Sequence, residues 1–316
     1  MEATLEIDAQ YRALREEAGL LDRSDRARIA VRGAEAAEFL QGQLTNDVDE
    51  LEPGGGCYAA LLDRKGKIRA DMRVLRLDAD EFLIDTEPET ADVLIGHLGT
   101  YNVGRDATVE TDEEGKALLS LIGPLSAKLL GDVPLSPEHA HREVFVAGVG
   151  CRAIATDLGA DLLVPAEGAD LVRESLLTAG AQPIGEAAAE IARVEAGRPR
   201  VGHEISEQTM PAEAGINDRA VSFTKGCYIG QETVARLHYK GKPNRHLRGL
   251  RLSAPVPPGA ALRLGEKEVG TLGSAAVSPA RGPIGLAILR REAEPGATLA
   301  VGEDGVTAEV VALPFG

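Results

Sequence analysis

The sequence predicts an α+β fold in several domains that ends in a small antiparallel β-barrel. A chain of 316 residues is longer than one hydrophobic core usually requires. Segments with helical and with strand periodicity are interleaved through roughly the first three quarters of the chain. From Arg248 onward, about six short strands follow one another between proline and glycine breakers, which is the pattern of a small barrel.

Residues 8–18 predict an amphipathic helix that ends at Gly19. An alternating strand at 27–31 and a helix from Gly33 through Gln41 follow. Further strands are predicted at 57–63, 68–77, 82–85, 108–111, 117–122, 143–146, 151–156 and 161–165, and further helices at 88–97, 170–179 and 185–197. The C-terminal strands are predicted at 247–252, 261–264, 267–276, 284–288, 298–301 and 306–311.

Composition excludes several classes of protein. No apolar run approaches the roughly 18 residues of a membrane span. The first residues lack the basic and apolar regions of a secretory signal, so a cytoplasmic location is expected. Three cysteines, Cys57, Cys151 and Cys227, show no C-x-x-C spacing. That argues for a reducing compartment and against a disulfide framework or a zinc ribbon, and no metal site is expected.

A basic segment stands out against a formal net charge of −16. Between Ser222 and Leu252 the only acid is Glu232, against seven basic residues: Lys225, Arg236, Lys240, Lys242, Arg245, Arg248 and Arg251. We call these residues the basic island. Such a cluster in an acidic chain indicates an anionic ligand or partner. The overall acidity argues against general nucleic-acid binding, and local binding at the island, of a tRNA for example, stays open.

Cys227 lies between glycines in the segment Lys225-Gly226-Cys227-Tyr228-Ile229-Gly230. A neighbouring cation such as Lys225 would stabilise a thiolate, and glycines let another molecule approach closely. The alternative interpretation is a structural cysteine on a turn with a solvated basic edge.

The segment Lys225-Gly226-Cys227-Tyr228-Ile229-Gly230-Gln231-Glu232 resembles the hallmark of the YgfZ family. These are folate-binding proteins related to the T-protein (aminomethyltransferase) of the glycine cleavage system. Other segments resemble both families: residues 39–48, 123–130, 193–197 and 211–215. The resemblance implies a three-domain ring like that of the T-protein, with two mixed α+β domains and a C-terminal antiparallel β-barrel around a channel.

With this resemblance, the predicted folate-binding α+β domains are interleaved over residues 1–50 and 115–240. Residues 51–114 form an inserted α+β part that carries Asp71, and residues 241–316 form the barrel domain.

Asp71 shares one face of a predicted strand with Arg69 and Arg73 by the two-residue period of strands. From the residues alone, a polar sheet face with charge pairs explains it. In the T-protein family the corresponding strand carries two successive aspartates, and the second is catalytic. This chain has Ala70 and Asp71 there. The resemblance therefore implies that Asp71 faces folate and orients or protonates an amine.

Glu195 lies at the end of a predicted helix capped by Gly197, in the motif Arg-x-Glu-Ala-Gly. The resemblance implies that its carboxylate accepts the N–H groups of a pterin ring. Lys225, Tyr228, Gln231 and Arg236 are further candidate folate ligands. Without the motif, a surface ion pair of Arg193 with Glu195 would suffice.

The resemblance implies a tetrahydrofolate-binding protein that assists iron–sulfur cluster assembly or repair, with Cys227 as the functional cysteine and iron–sulfur assembly proteins as partners. A link to tRNA modification would follow indirectly from iron–sulfur enzymes. The alternative is a folate-dependent aminomethyltransferase or demethylase that uses Asp71. Against this alternative, Asp157-Leu158-Gly159-Ala160-Asp161 replaces the Thr-Gly-Glu-x-Gly segment of T-proteins. A plain folate-binding or RNA-binding module is a third class.

Overall fold

A computed structural model describes residues 2–112 and 116–316. The helices are α1 (Glu2–Glu16), α2 (Ala36–Gln43), α3 (Pro88–Tyr101), α4 (Ser126–Leu129), α5 (Ala169–Thr178), α6 (Glu186–Glu195), α7 (Asn217–Ala220) and α8 (Gln231–Lys240). The strands of the N-terminal part are β1 (Gly19–Asp22), β2 (Ala27–Arg32), β3 (Gly56–Leu62), β4 (Ile68–Asp78), β5 (Glu81–Thr86), β6 (Thr108–Thr111), β7 (Lys116–Ile122), β8 (His141–Val146), β9 (Val149–Thr156), β10 (Gly159–Pro165) and β11 (Gln182–Pro183). The C-terminal strands are β12 (Arg245–Leu252), β13 (Ala261–Leu264), β14 (Lys267–Thr271), β15 (Ser274–Ser278), β16 (Gly282–Arg290), β17 (Thr298–Val301) and β18 (Val306–Val311).

The chain divides into two compact units. The first unit contains the described residues up to Leu62, together with Arg69–Ala188 and Arg219–Ile229. The second unit contains Asp63–Ile68, Ala189–Asp218 and Gly230–Gly316. The domain boundaries predicted from the sequence stay predictions.

The first unit holds two sheets. One has five strands in the order β3-β4-β5-β2-β6, and the other has six in the order β11-β1-β7-β10-β9-β8. The five-stranded sheet packs against α2 and α3, with Phe39 and Leu94 in its core. The six-stranded sheet packs against α5 through Val172 and Leu176. Alternation on β4 buries Ile68, Ala70, Met72 and Val74, which leaves Asp71 and Arg73 on the opposite face.

The second unit is built on a seven-stranded antiparallel sheet in the order β14-β13-β17-β18-β12-β16-β15. Leu250, Leu262 and Leu299 form part of its core. The sequence predicts one strand over 267–276, whereas the structure breaks it into β14 and β15, which lie at opposite edges of the sheet. The break falls at Gly273, where a Cβ would lie 2.8 Å from Glu204 Oε1. Glycine therefore allows the close approach of Glu204 at this crossing.

Among the described residues, no helix combines the length and apolar composition needed to cross a bilayer.

Candidate functional site

Asp71 is paired with a tyrosine of the neighbouring strand. It lies on β4, and the hydroxyl of Tyr58 on β3 donates to Asp71 Oδ2 at 2.6 Å. Thr86 Oγ1 fixes the backbone by donating to the Asp71 carbonyl at 2.6 Å. Burial raises the pKa of Asp71, and the hydrogen bond from Tyr58 offsets part of this rise. A half-buried carboxyl whose pKa is raised is suited to exchanging a proton with a ligand.

Two further residues hold Tyr58 in place. The guanidinium carbon of Arg219 lies 5.2 Å from the centre of the Tyr58 ring. Asn46 Nδ2 donates to the carbonyls of Tyr58 and Arg219, at 2.8 and 3.0 Å. Strand β3, the 45–46 loop and the segment around α7 therefore converge on Tyr58.

Arg219 is itself oriented by acids. Its Nη2 donates to Glu138 Oε1 and lies 4.0 Å from Asp157 Oδ2. Asp157 belongs to the segment that differs from the T-protein pattern in the sequence. The structure places this segment beside Arg219, which contacts the ring of Tyr58.

Tyr58, Arg219 and Glu138 were not predicted as site residues. Arg219 and Glu138 lie more than 60 positions from Asp71 in sequence, so no spacing rule connects them with it, whereas Tyr58 lies 13 positions away on the neighbouring strand. The usable signal was weak: Tyr58 is one of only five tyrosines, and Arg219 lies between two segments that carry the family resemblance.

The structure distinguishes the three cysteines by exposure: Cys227 is exposed, Cys57 half-buried and Cys151 buried. Burial raises the pKa of Cys57 to about 12 and also raises the pKa of Cys151. Cys227 is therefore the thiol most accessible to another molecule, and its functional role stays a prediction.

Lys225 does not act as the sequence suggested. Its Nζ is buried and donates to three backbone carbonyls, those of Gln41, Leu44 and Asn46, at 2.7, 2.8 and 2.7 Å. An ammonium has three donors, so all of them are used within the protein. The expectation that Lys225 stabilises a thiolate at Cys227 is therefore not supported by its geometry. As a folate ligand, which stays a prediction, it would first have to release a carbonyl.

The other candidate ligands near Cys227 occupy different environments. Tyr228 is buried and its ring lies 5.3 Å from Lys225 Nζ. Burial raises the pKa of Tyr228 to about 12. Gln231 begins α8 and is half-buried, whereas Arg236 in the same helix is exposed. Their predicted contacts with folate stay predictions.

Glu195 is a buried residue at the end of α6. Its Oε1 accepts the hydroxyl of Ser278 at 2.5 Å and lies 3.7 Å from Arg281 Nε. The Phe315 N–H donates to the Glu195 carbonyl at 3.1 Å. These contacts tie the helix end to the seven-stranded sheet. Glu195 and Asp71 belong to different units, so their common role in one folate channel stays a prediction.

The basic island is not uniformly free for an anion. Lys225 is committed to carbonyls, and Arg245 pairs with Glu213 at 2.9 Å. Arg236, Lys240, Lys242 and Arg251 are exposed. In the described part of the chain, no group of three or more His, Cys, Asp or Glu side chains is arranged to hold a metal ion.

The chain matches two domain families and is similar to named transferases. Residues 2–225 match the GCVT N-terminal domain, and residues 245–315 match the glycine cleavage T-protein C-terminal barrel domain. The chain is 32% identical to an aminomethyltransferase of Rubrobacter xylanophilus, over 98% of this chain and 86% of that protein. It is also 32% identical to a putative chloroplastic transferase of Arabidopsis thaliana, over 92% of this chain and 70% of that protein.

A solved structure corresponds to nearly the whole chain. It is the glycine cleavage system aminomethyltransferase T from Bartonella henselae, with a TM-score of 0.88 and 26% identity. The match covers 98% of this chain and 89% of that one. The predicted α+β fold class, with two mixed α+β domains and an antiparallel C-terminal domain, is therefore confirmed. The C-terminal domain predicted as a β-barrel of about six strands is a curled seven-stranded sheet.

Proposed function

Because the chain belongs to the GcvT-like aminomethyltransferase family, we propose that it binds tetrahydrofolate and transfers a one-carbon unit between this cofactor and an amine. Relatives named aminomethyltransferase align over almost the full length. The observation that carries the proposal is the Tyr58–Asp71 pair, a half-buried carboxyl with a raised pKa on the strand where the resemblance places a catalytic carboxylate.

The polar groups of the first unit fit a folate. A reduced pterin offers ring N–H donors and nitrogen acceptors, which need polar partners inside a protein. The first unit provides the Asp71 carboxyl, the Tyr58 hydroxyl and the imidazole of His139, whose two nitrogens are enclosed and have no hydrogen-bond partner in the described part of the chain. Glu195 could take part only if its carboxylate is shared with Ser278 and Arg281.

Tetrahydrofolate would supply the nitrogen atoms that accept or give up the one-carbon unit. The chain's own contribution is proton control at the amine. When protonated, Asp71 donates to the amine nitrogen as its bond to the carbon breaks, and when ionised it orients the ammonium group. The hydroxyl of Tyr58 holds one carboxyl oxygen of Asp71 in place, so the orientation of the carboxyl group toward the ligand is fixed.

The test is formation of methylene-tetrahydrofolate and release of ammonia from tetrahydrofolate and an S-aminomethyl donor, with the aminomethyl group carried on a lipoyl protein or on free dihydrolipoamide. Asp71→Asn should lower kcat by a factor on the order of 10²–10⁴, the usual contribution of a positioned acid or base. Asp92→Asn, at an exposed position on α3, is the matched control. If neither donor is turned over by the unmodified protein, the enzymatic proposal is wrong.

A second candidate function rests on Cys227. Its exposed thiol lies in the segment that resembles the YgfZ hallmark, and this favours membership of that subfamily and a role in iron–sulfur cluster assembly or repair in the cytoplasm. Partners would then be iron–sulfur assembly proteins, with effects on tRNA modification arising through iron–sulfur enzymes.

A knockout strain tests this second candidate. Activities of several iron–sulfur enzymes should fall, and return with the wild-type gene but not with Cys227→Ala. Cys151→Ala serves as the matched cysteine control. Rescue by Cys227→Ala together with loss of rescue by Asp71→Asn would favour the transferase over the iron–sulfur role.

A further inference from the structure

His139 has a strained backbone inside the first unit. Its φ is +70°, in the left-handed region that a residue with a side chain seldom adopts. The other two non-glycine residues with positive φ in the described chain, Asp132 and Ala147, are exposed loop residues. His139 is instead held by its N–H, which donates to the Ala155 carbonyl at 2.9 Å, while Ala155 donates to Ala140 at 2.8 Å.

The His139 ring is enclosed without hydrogen bonds. Neither Nδ1 nor Nε2 has a hydrogen-bond partner among the described residues. The nearest acid, Glu138 Oε1, lies 3.6 Å from Nε2, beyond hydrogen-bond distance, and it already accepts from Arg219. Burial lowers the pKa of His139 to about 4, so the imidazole is neutral at pH 7 and offers one donor and one acceptor.

The segment that carries His139 lies beside strand β3, which carries Tyr58. A Cβ on Gly56 would lie 2.9 Å from the His139 carbonyl, so this backbone passes over β3. Gly56 and Tyr58 are two residues apart on that strand and therefore share a face. Glu138, the preceding residue, accepts a hydrogen bond from the same Arg219 whose guanidinium carbon lies 5.2 Å from the centre of the Tyr58 ring. The unmet hydrogen bonds of His139 thus lie in the part of the first unit that contains Tyr58, where a ligand can satisfy them.

We propose that His139 is a ligand-contacting residue of the Asp71 site, and that its imidazole exchanges hydrogen bonds with the bound folate. This inference rests on the proposed function, because it requires that folate binds in the first unit. It adds a residue outside the segments that resemble the T-protein and YgfZ families, contributed by the stretch between α4 and β8.

The experiment measures folate affinity and thermal stability together. Isothermal titration uses 5-formyltetrahydrofolate, a stable folate, with wild type, His139→Asn and His139→Gly. Asparagine and glycine both tolerate a positive φ, so these changes remove the imidazole without adding strain. We expect the dissociation constant to rise about tenfold or more in both variants, with melting temperatures at or above that of wild type.

The matched control is His141→Asn. His141 is also buried, two residues further along, but its Nδ1 lies 3.0 Å from Arg152 and its backbone φ is not positive. Its replacement should leave folate affinity unchanged. Unchanged affinity in both His139 variants, or an equal loss in His141→Asn, overturns the inference. So does a loss of affinity accompanied by a lower melting temperature. Absence of binding by the wild type instead overturns the proposed function.

Discussion

Asp71 illustrates how a neighbouring side chain sets the chemistry of a carboxyl group. Burial favours the neutral form, while the Tyr58 hydroxyl favours the charged form by donating to Oδ2. The balance leaves the pKa above its ordinary value. Removing the Tyr58 hydroxyl should therefore raise the pKa of Asp71 further.

Tyr58→Phe should raise the apparent pKa of Asp71 by about one unit, the equivalent of one hydrogen bond to a charged group. The acidic limb of the pH–activity profile would shift to higher pH by the same amount. A carboxyl ¹³C titration of the unliganded protein gives the same information without turnover. Tyr239→Phe, in exposed α8, is the control. An unchanged titration would mean that the Tyr58 contact does not control Asp71.

Alkylation should separate the three cysteines by environment. Cys227 should react with iodoacetamide fastest, because it is exposed, whereas burial raises the pKa values of Cys57 and Cys151 and limits access to them. Partial labelling at about pH 7.5–8, followed by peptide mass spectrometry, measures the order in which the three thiols react. Cys227→Ser should remove the fast phase. Similar rates at all three sites would contradict the prediction.

Residue types were easier to predict than their partners. The sequence singled out Cys227, which the structure shows to be exposed, but it suggested that Lys225 would act on the thiol only because the two are close in sequence. In the structure, Lys225 binds carbonyls more than 170 positions away in the chain. Adjacent side chains on an irregular segment point in different directions, and only the fold decides which partner each one meets.

At the element scale, Lys225 stabilises the end of α2. It binds the Gln41 and Leu44 carbonyls at the helix C-terminus, where backbone acceptors lack helical partners and a cation is favoured. Its third bond, to Asn46, holds the loop that reaches Tyr58.

Lys225→Met should destabilise the protein by about 2–3 kcal/mol, because buried carbonyls lose a charged donor. It should also weaken folate binding through the 45–46 loop. Chemical denaturation followed by circular dichroism measures the first effect. Lys242→Met, which removes an exposed lysine of the basic island, should change stability by less than about 0.5 kcal/mol. Equal effects in the two variants would show that the Lys225 contacts contribute little.

Most elements could be predicted because their periodicity is local. The strands at 108–111, 261–264, 298–301 and 306–311 have the bounds expected from the sequence. β1 was not predicted, because only four residues form it and its antiparallel partner, β7, lies about a hundred residues later. The contacts of Tyr58 with Arg219, and of Arg219 with Glu138, depend on the same kind of long-range pairing.

At the scale of the whole molecule, a buried ionic network links the two sheets of the first unit. Arg73 on β4 donates to Asp85 on β5 and, at 2.7 Å, to Asp161 on β10. Arg26 also donates to Asp85, at 2.6 Å. Burial alone would raise the pKa of Asp85, but the two guanidinium groups outweigh it and hold the pKa below its ordinary value.

Asp85→Asn should cost about 3–5 kcal/mol of folding free energy, because it leaves two buried cations without a shared carboxylate. The sign of the pH dependence follows from the depressed pKa. Stability from Asp85 is complete above the unfolded value of about 3.9 and is lost as pH falls through the lower folded value. The difference in unfolding free energy between wild type and Asp85→Asn should therefore shrink below about pH 4. Asp92→Asn is the control. A difference in unfolding free energy that stays constant as the pH falls would contradict the predicted contribution of Asp85.

The tyrosine that anchors the proposed site gives the molecule an internal optical probe. The chain has five tyrosines and no tryptophan, so its ultraviolet emission arises from phenols alone. Tyr58 touches both the carboxyl and a guanidinium, and any pteridine arriving there would absorb at the wavelengths at which tyrosine emits. Occupancy can therefore be followed by quenching in the unlabelled protein, and Tyr58→Phe identifies how much of the signal comes from this position.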